Sequence, residues 1–141
     1  MKKIIYLLIL GIALSGCATV NPYGSIYNEA IVEGNSTTII KDGEVKDIHV
    51  YVTKYFESMN YRKVLFSDLK EGFMVITKDI SIAKAFLIWD PHVYKIILKY
   101  TKAGEGKTRI DLVNGTDIPI WARKDVDKDI QQIAKLIEEE K

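Results

Sequence analysis

The sequence has one cysteine, no excess of either charge, no apolar run long enough to cross a bilayer and no catalytic signature. Each absence excludes something. A single cysteine rules out an intramolecular disulfide, so the core must hold without a covalent cross-link. Twenty basic residues against 19 acidic ones leave no net field that would draw a nucleic acid. The longest uncharged apolar run, Ile4–Leu14, is about half of the roughly 20 residues that a spanning helix needs. There is no GxSxG, no HExxH and no glycine-rich phosphate loop between a strand and a helix. The two histidines, His49 and His92, lack metal-ligand spacing. No residue is therefore assigned a catalytic, cofactor-binding or metal-ligating role. Asp68 and Glu71 flank a turn and read as solvated charges rather than as a pair of catalytic acids.

What is present begins at the N-terminus. Lys2 and Lys3 precede Ile4–Leu14, and small residues follow: Ser15, Gly16, Cys17 and Ala18. Positive start, short apolar centre and small-residue end make an export signal. Leu14-Ser15-Gly16-Cys17 resembles the lipobox of bacterial lipoproteins. That resemblance implies a diacylglyceryl group on the sulfur of Cys17 and cleavage between Gly16 and Cys17. It also implies a membrane partner reached through the lipid anchor. In the same family Asp after the cysteine often retains the protein at the inner membrane, so Ala18 points to the outer membrane, facing the periplasm. Removing Met1–Gly16 leaves 125 residues with 18 basic and 19 acidic side chains. A chain of that length buries about two-thirds of its unfolded surface.

The expected organisation is signal 1–16, lipidated cysteine and flexible tether 17–35, and one small domain 36–141. Asn, Gly and Ser, with Pro22, dominate the tether, although Tyr23, Ile26, Tyr27 and Ile31 give part of it a means to pack on the domain. Thr37–Lys41 is β-branched and reads as a strand. Val45, Ile48, Val52, Tyr55, Phe56 and Met59 recur at helical spacing, and the helix should end near Asn60, which tolerates a left-handed cap. Tyr61–Phe66 is a short extended piece, Phe73–Ile80 a strand, and Ala83–Trp89 ambiguous between strand and loop. His92–Lys102 and Lys107–Asn114 alternate as the two arms of a hairpin. Their apolar rows share a face only if paired numbers have an even sum, which pairs Tyr100 with Ile110, Leu98 with Leu112 and Ala103 with Lys107 across a three-residue loop, Gly104-Glu105-Gly106. Gly115–Arg123 reads as a loop, and Asp125 and Asp127 mark the start of a last helix running to the charged tail. The order β-α-β-β-β-α predicts an α+β, two-layer sandwich: a mainly antiparallel sheet of about four strands with two helices on one face. The other face, with Lys95, Ile97 and Lys99, should be solvated or covered by a partner.

Two sets of residues are candidates for a partner surface. Lys95, Lys99, Lys107 and Arg109 fall on the outward face of the hairpin and suit an anionic partner, an envelope protein or a lipid. Trp89 and Trp121 lie in or beside expected loops, where aromatics often anchor interfaces. A groove between helices and sheet, lined by Tyr55, Phe56 and Trp89, would suit a small ligand or lipid. The helix ending Met59-Asn60-Tyr61, the strand opening at Glu71-Gly72-Phe73, the hairpin and the final helix together resemble small accessory lipoproteins of outer-membrane assembly, including the lipopolysaccharide-assembly lipoprotein. That resemblance implies a non-enzymatic interaction module and carries no functional residues with it.

Overall fold

A computed structural model describes residues 20–78, 92–117 and 119–141. The expected strand end at Ile80, the stretch Ala83–Trp89 and Cys17 itself lie outside the described residues. The chain runs α1 (Gly24–Glu33), β1 (Ser36–Asp42), α2 (Val45–Ser58), β2 (Tyr61–Asp68), β3 (Phe73–Lys78), β4 (Lys95–Gly104), β5 (Lys107–Asn114) and α3 (Ile120–Glu139). The five strands form one antiparallel sheet in the order β1-β5-β4-β3-β2. The fold is α+β as expected, with one strand and one helix more than the expected order contains. Among the described residues no helix is long and apolar enough to cross a membrane.

α2 places Ile48, Val52 and Phe56 at every fourth position and buries all three. It stops where expected: Asn60 takes a left-handed φ of 68°. α3 buries Ala122, Val126, Ile130, Ile133, Ala134 and Ile137 along one stripe. Both helices cover the same face of the sheet, against Ile39, Ile76, Ile96, Leu98, Ile110 and Leu112. α3 begins at Ile120, not near Asp125. Pro119, with φ −75° and extended backbone, sets the start, and Ala122 lengthens the buried stripe by a turn. Trp121 is thereby on a helix rather than in a loop.

The hairpin keeps its expected register through Leu98–Leu112 and Tyr100–Ile110. Its tip differs. Lys107 pairs with Gly104, not with Ala103, and the register shifts between Lys102 and Gly104. The spare residue bulges out of β4 and the chain closes over Glu105-Gly106. Gly104 and Gly106 take φ values of 136° and 63°, which side chains resist.

The largest departure is at the start. The expected flexible tether gives way from residue 24, where α1 lies on the face opposite α2 and α3. Tyr23, Tyr27 and Ile31, four residues apart, turn to the sheet and meet Phe66, Phe73, Val75, Ile97 and Val113. Gly34 ends the helix at φ 73°, and Asn35 N–H closes the cap by donating to Ala30 O at 2.8 Å. The face expected to be solvated or partner-covered is covered by the chain's own helix. β3 is consequently buried on both faces from Phe73 to Thr77, which explains its unbroken apolar run.

Candidate functional site

The α1 face has a charged centre. Asp111 on β5 is 1% exposed. Its Oδ2 accepts the Tyr27 hydroxyl at 2.8 Å, and its Oδ1 accepts Thr38 Oγ1 at 2.6 Å and Arg109 Nε at 3.0 Å. Lys99, directly opposite Asp111 on β4, holds its Nζ 5.1 Å from the centre of the Tyr27 ring. A buried carboxylate needs such partners, because leaving water is costly unless its lone pairs are bonded. Burial, then the bond to Asp111, pushes the Tyr27 hydroxyl well above its ordinary value of 10.0. The assembly ties α1 to β5 and β1. It works as a structural latch between them.

α1 also divides the candidate basic patch. Lys99 lies against Tyr27, beneath the helix. Lys95 lies beyond Ile97 on one side, beside Gly115. Arg109 and Lys107 lie on the other side, next to acids: Asp111, and Asp42 at 4.0 Å. The four cations expected to act together do not form one surface. The signal that reveals the split was present in the 3–4 spacing of Tyr23, Tyr27 and Ile31. Asp111 was missed because in strand alternation it falls in the same row as Lys107 and Arg109 and reads as solvated.

A second assembly sits on the α3 side near the ends of β2 and β3. Lys78 Nζ meets Asp129 Oδ2 at 2.5 Å and lies 5.1 and 4.8 Å from the rings of Tyr61 and Tyr94. Tyr61 donates to the same Asp129 oxygen at 2.7 Å, and Tyr94 to Asp125 at 3.3 Å. The Tyr94 ring also meets Trp121, 6.2 Å away. Burial first, then Asp129, raises the Tyr61 hydroxyl far above 10.0. Trp89, the other candidate aromatic, lies outside the described residues.

The remaining candidates stay apart. His49 is half-buried on α2, with Nδ1 2.9 Å from the Tyr100 hydroxyl. His92 Nε2 lies 3.3 Å from Lys63 Nζ. Asp68 uses Oδ1 to accept the backbone N–H groups of Lys70 and Glu71, at 3.1 and 3.3 Å, which makes it a turn former. Among the described residues no group of three or more His, Cys, Asp or Glu is placed to hold a metal ion. Of the residues expected to line a groove, Tyr55, Phe56 and Trp89, the first two are described. Phe56 is buried edge-on against Tyr61. Tyr55 bonds Glu140, which pushes its hydroxyl up to about 12.

Two clefts open elsewhere. One, of about 480 Å³, lies between the C-terminal half of α1 and α3 and is edged by Glu29, Glu33, Arg123 and Asp127. The other, of about 490 Å³, lies between β1 and the chain's C-terminus, where Lys41 Nζ holds the carbonyls of Glu138 and Glu140 at 3.4 and 2.5 Å.

Comparison with protein-family models, with curated proteins and with solved structures finds no match to this chain.

Proposed function

We propose that this chain is an exported lipoprotein, cut before Cys17 and lipidated on its sulfur, and held at the bacterial envelope with its domain facing the periplasm. It acts there by binding rather than by catalysis. The observation that carries the reading is the run Met1–Ala18, in which charge, apolar length, small residues and cysteine fall in register. A single acyl chain holds a protein only weakly, whereas two or more hold it firmly, at about 0.8 kcal/mol per buried methylene. The only cysteine of the chain stands where such an anchor needs it. Ala18 favours the outer membrane. The small-ligand alternative keeps two open clefts, beside α1 and beside the C-terminus, as places where a ligand would sit.

Mass spectrometry of the native N-terminus, from membranes of the source bacterium, tests this. The expected product starts at Cys17 and carries a diacylglyceryl thioether, with labelling by radioactive palmitate. A product that keeps residues 1–16, or one with a free thiol in the soluble fraction, ends the reading.

A further inference from the structure

We propose that one edge of the sheet, β2 with the turn after it, rests on the phospholipid headgroups of the membrane that holds Cys17. The inference rests on the lipoprotein reading and adds an orientation to it. α1 enters over β2, where the Tyr23 ring lies 6.2 Å from the Phe66 ring, and leaves toward β1 through Gly34. Before Tyr23 the chain is already folded back. Asn21 Oδ1 accepts the Tyr23 N–H at 2.9 Å, and Asn21 O accepts the Gly24 N–H at 3.4 Å. From Cys17 to Asn21 is four residues, which reach about 14 Å at full extension. β1 lies four strands away from β2, about 19 Å at ordinary strand spacing. The tether is shorter than the sheet is wide, so the edge nearest the lipid is β2.

The side chains at that edge suit a headgroup surface. Arg62, Lys63 and Lys70 are exposed there. So are Val64 on the strand and Leu69 at the tip of the turn, Leu69 at 83%. Val20, just ahead of the Asn21 turn, is 82% exposed. Exposed aliphatic tips among cations match the boundary between acyl chains and phosphates. The acids within reach are Asp68, whose Oδ1 is taken by the turn, and Glu71. Lys63 keeps its contact with His92 at 3.3 Å. The turn is fixed rather than loose, because Tyr100 N–H donates to Gly72 O at 2.9 Å. At the opposite edge Lys41 on β1 is turned to the carbonyls at the α3 terminus, and on the neighbouring β5 Lys107 lies 4.0 Å from Asp42. Among the described strands β2 is an edge of the sheet, and a membrane surface would shield such an edge from pairing with other chains.

The test uses full-length lipidated protein reconstituted in phosphatidylethanolamine–phosphatidylglycerol vesicles. Lipidated Cys17 has no free thiol, so one new cysteine carries an environment-sensitive dye: Ser67→Cys or Leu69→Cys at the β2 end, Ile40→Cys on β1. Dyes at 67 and 69 should shift to the blue and be quenched by headgroup-level nitroxide lipids several-fold more than the dye at 40. Equal quenching, or stronger quenching at 40, overturns the orientation. Combining Arg62→Glu, Lys63→Glu and Lys70→Glu, with far-ultraviolet circular dichroism confirming the fold, should remove the difference. Quenching that survives the triple change overturns the headgroup contact. Mass spectrometry of the same samples separates the two ideas. A lipid on Cys17 with no β2 signal removes only the orientation, whereas no lipid removes both.

Discussion

The face of the sheet under α2 and α3 presents Ile39, Ile76, Ile96, Leu98, Ile110 and Leu112, while the face under α1 presents Phe73, Val75, Ile97 and Val113 around a buried Asp111. The first is covered by two helices of 14 and 20 residues, the second by one of 10. Apolar burial is non-directional and sums over many groups, at about 1.5–3 kcal/mol for each fully buried large side chain. A hydrogen-bonded carboxylate contributes less on balance but fixes geometry, because its donors must arrive from particular directions. The comparison teaches that the domain owes its existence to one face and the placement of its N-terminal helix to the other. Since α1 is the element next to the proposed anchor, the weaker face also sets how the domain meets the membrane.

The sharpest way to break the comparison is at the strong face. Phe56 is 1% exposed and fills the space between α2 and β2. Phe56→Ala should cost about 3–5 kcal/mol through lost burial and the cavity left behind. Urea unfolding should show the whole domain melting earlier in a single transition. A cost below about 1 kcal/mol would mean that the α2 face is not the foundation of the fold.

The next effect belongs to the weak face. Asp111→Ala removes the acceptor shared by Tyr27, Thr38 and Arg109 and leaves buried donors without partners. The expected cost is about 2–3 kcal/mol, set by unpaired polar groups rather than by lost area. Asp111→Asn keeps one acceptor oxygen and should recover part of it. Equal loss in both variants would show that charge, not hydrogen bonding, is what the latch needs.

How far these faces could be read in advance follows from the kind of force at each. The strong face was legible because apolar burial writes a period into the sequence. Ile48, Val52 and Phe56 mark one helix, and alternation from Ile96 to Tyr100 marks a strand whose register with Ile110 and Leu112 followed from parity alone. The weak face was not. Asp111 carries the same code as a solvated strand residue, and its meaning changes only when Tyr27, 84 positions earlier, is known to lie on top of it. The tip of the hairpin was misjudged for a related reason: glycines at 104 and 106 permit both a three-residue loop and a bulged turn, and spacing alone does not choose between them. For the site, the sequence placed four cations on one face of the hairpin. It could not show that α1 would run between them.

The smallest effect is the most specific to the comparison. Tyr27→Phe keeps the ring that meets Phe73 edge-on at 5.7 Å and removes only the hydroxyl that Asp111 accepts at 2.8 Å. Asp111 keeps Thr38 and Arg109, so the expected loss is about 1 kcal/mol. The location of that loss matters more than its size. α1 rests on few apolar contacts, and a helix of that kind opens by local release without unfolding the sheet. Amide hydrogen exchange should therefore rise about five-fold in Tyr27–Glu33, the size that 1 kcal/mol implies, while amides of β3, β4 and α3 keep their protection. If exchange rises equally throughout, the two faces are one cooperative unit, and the distinction between a foundation and a latch falls with it.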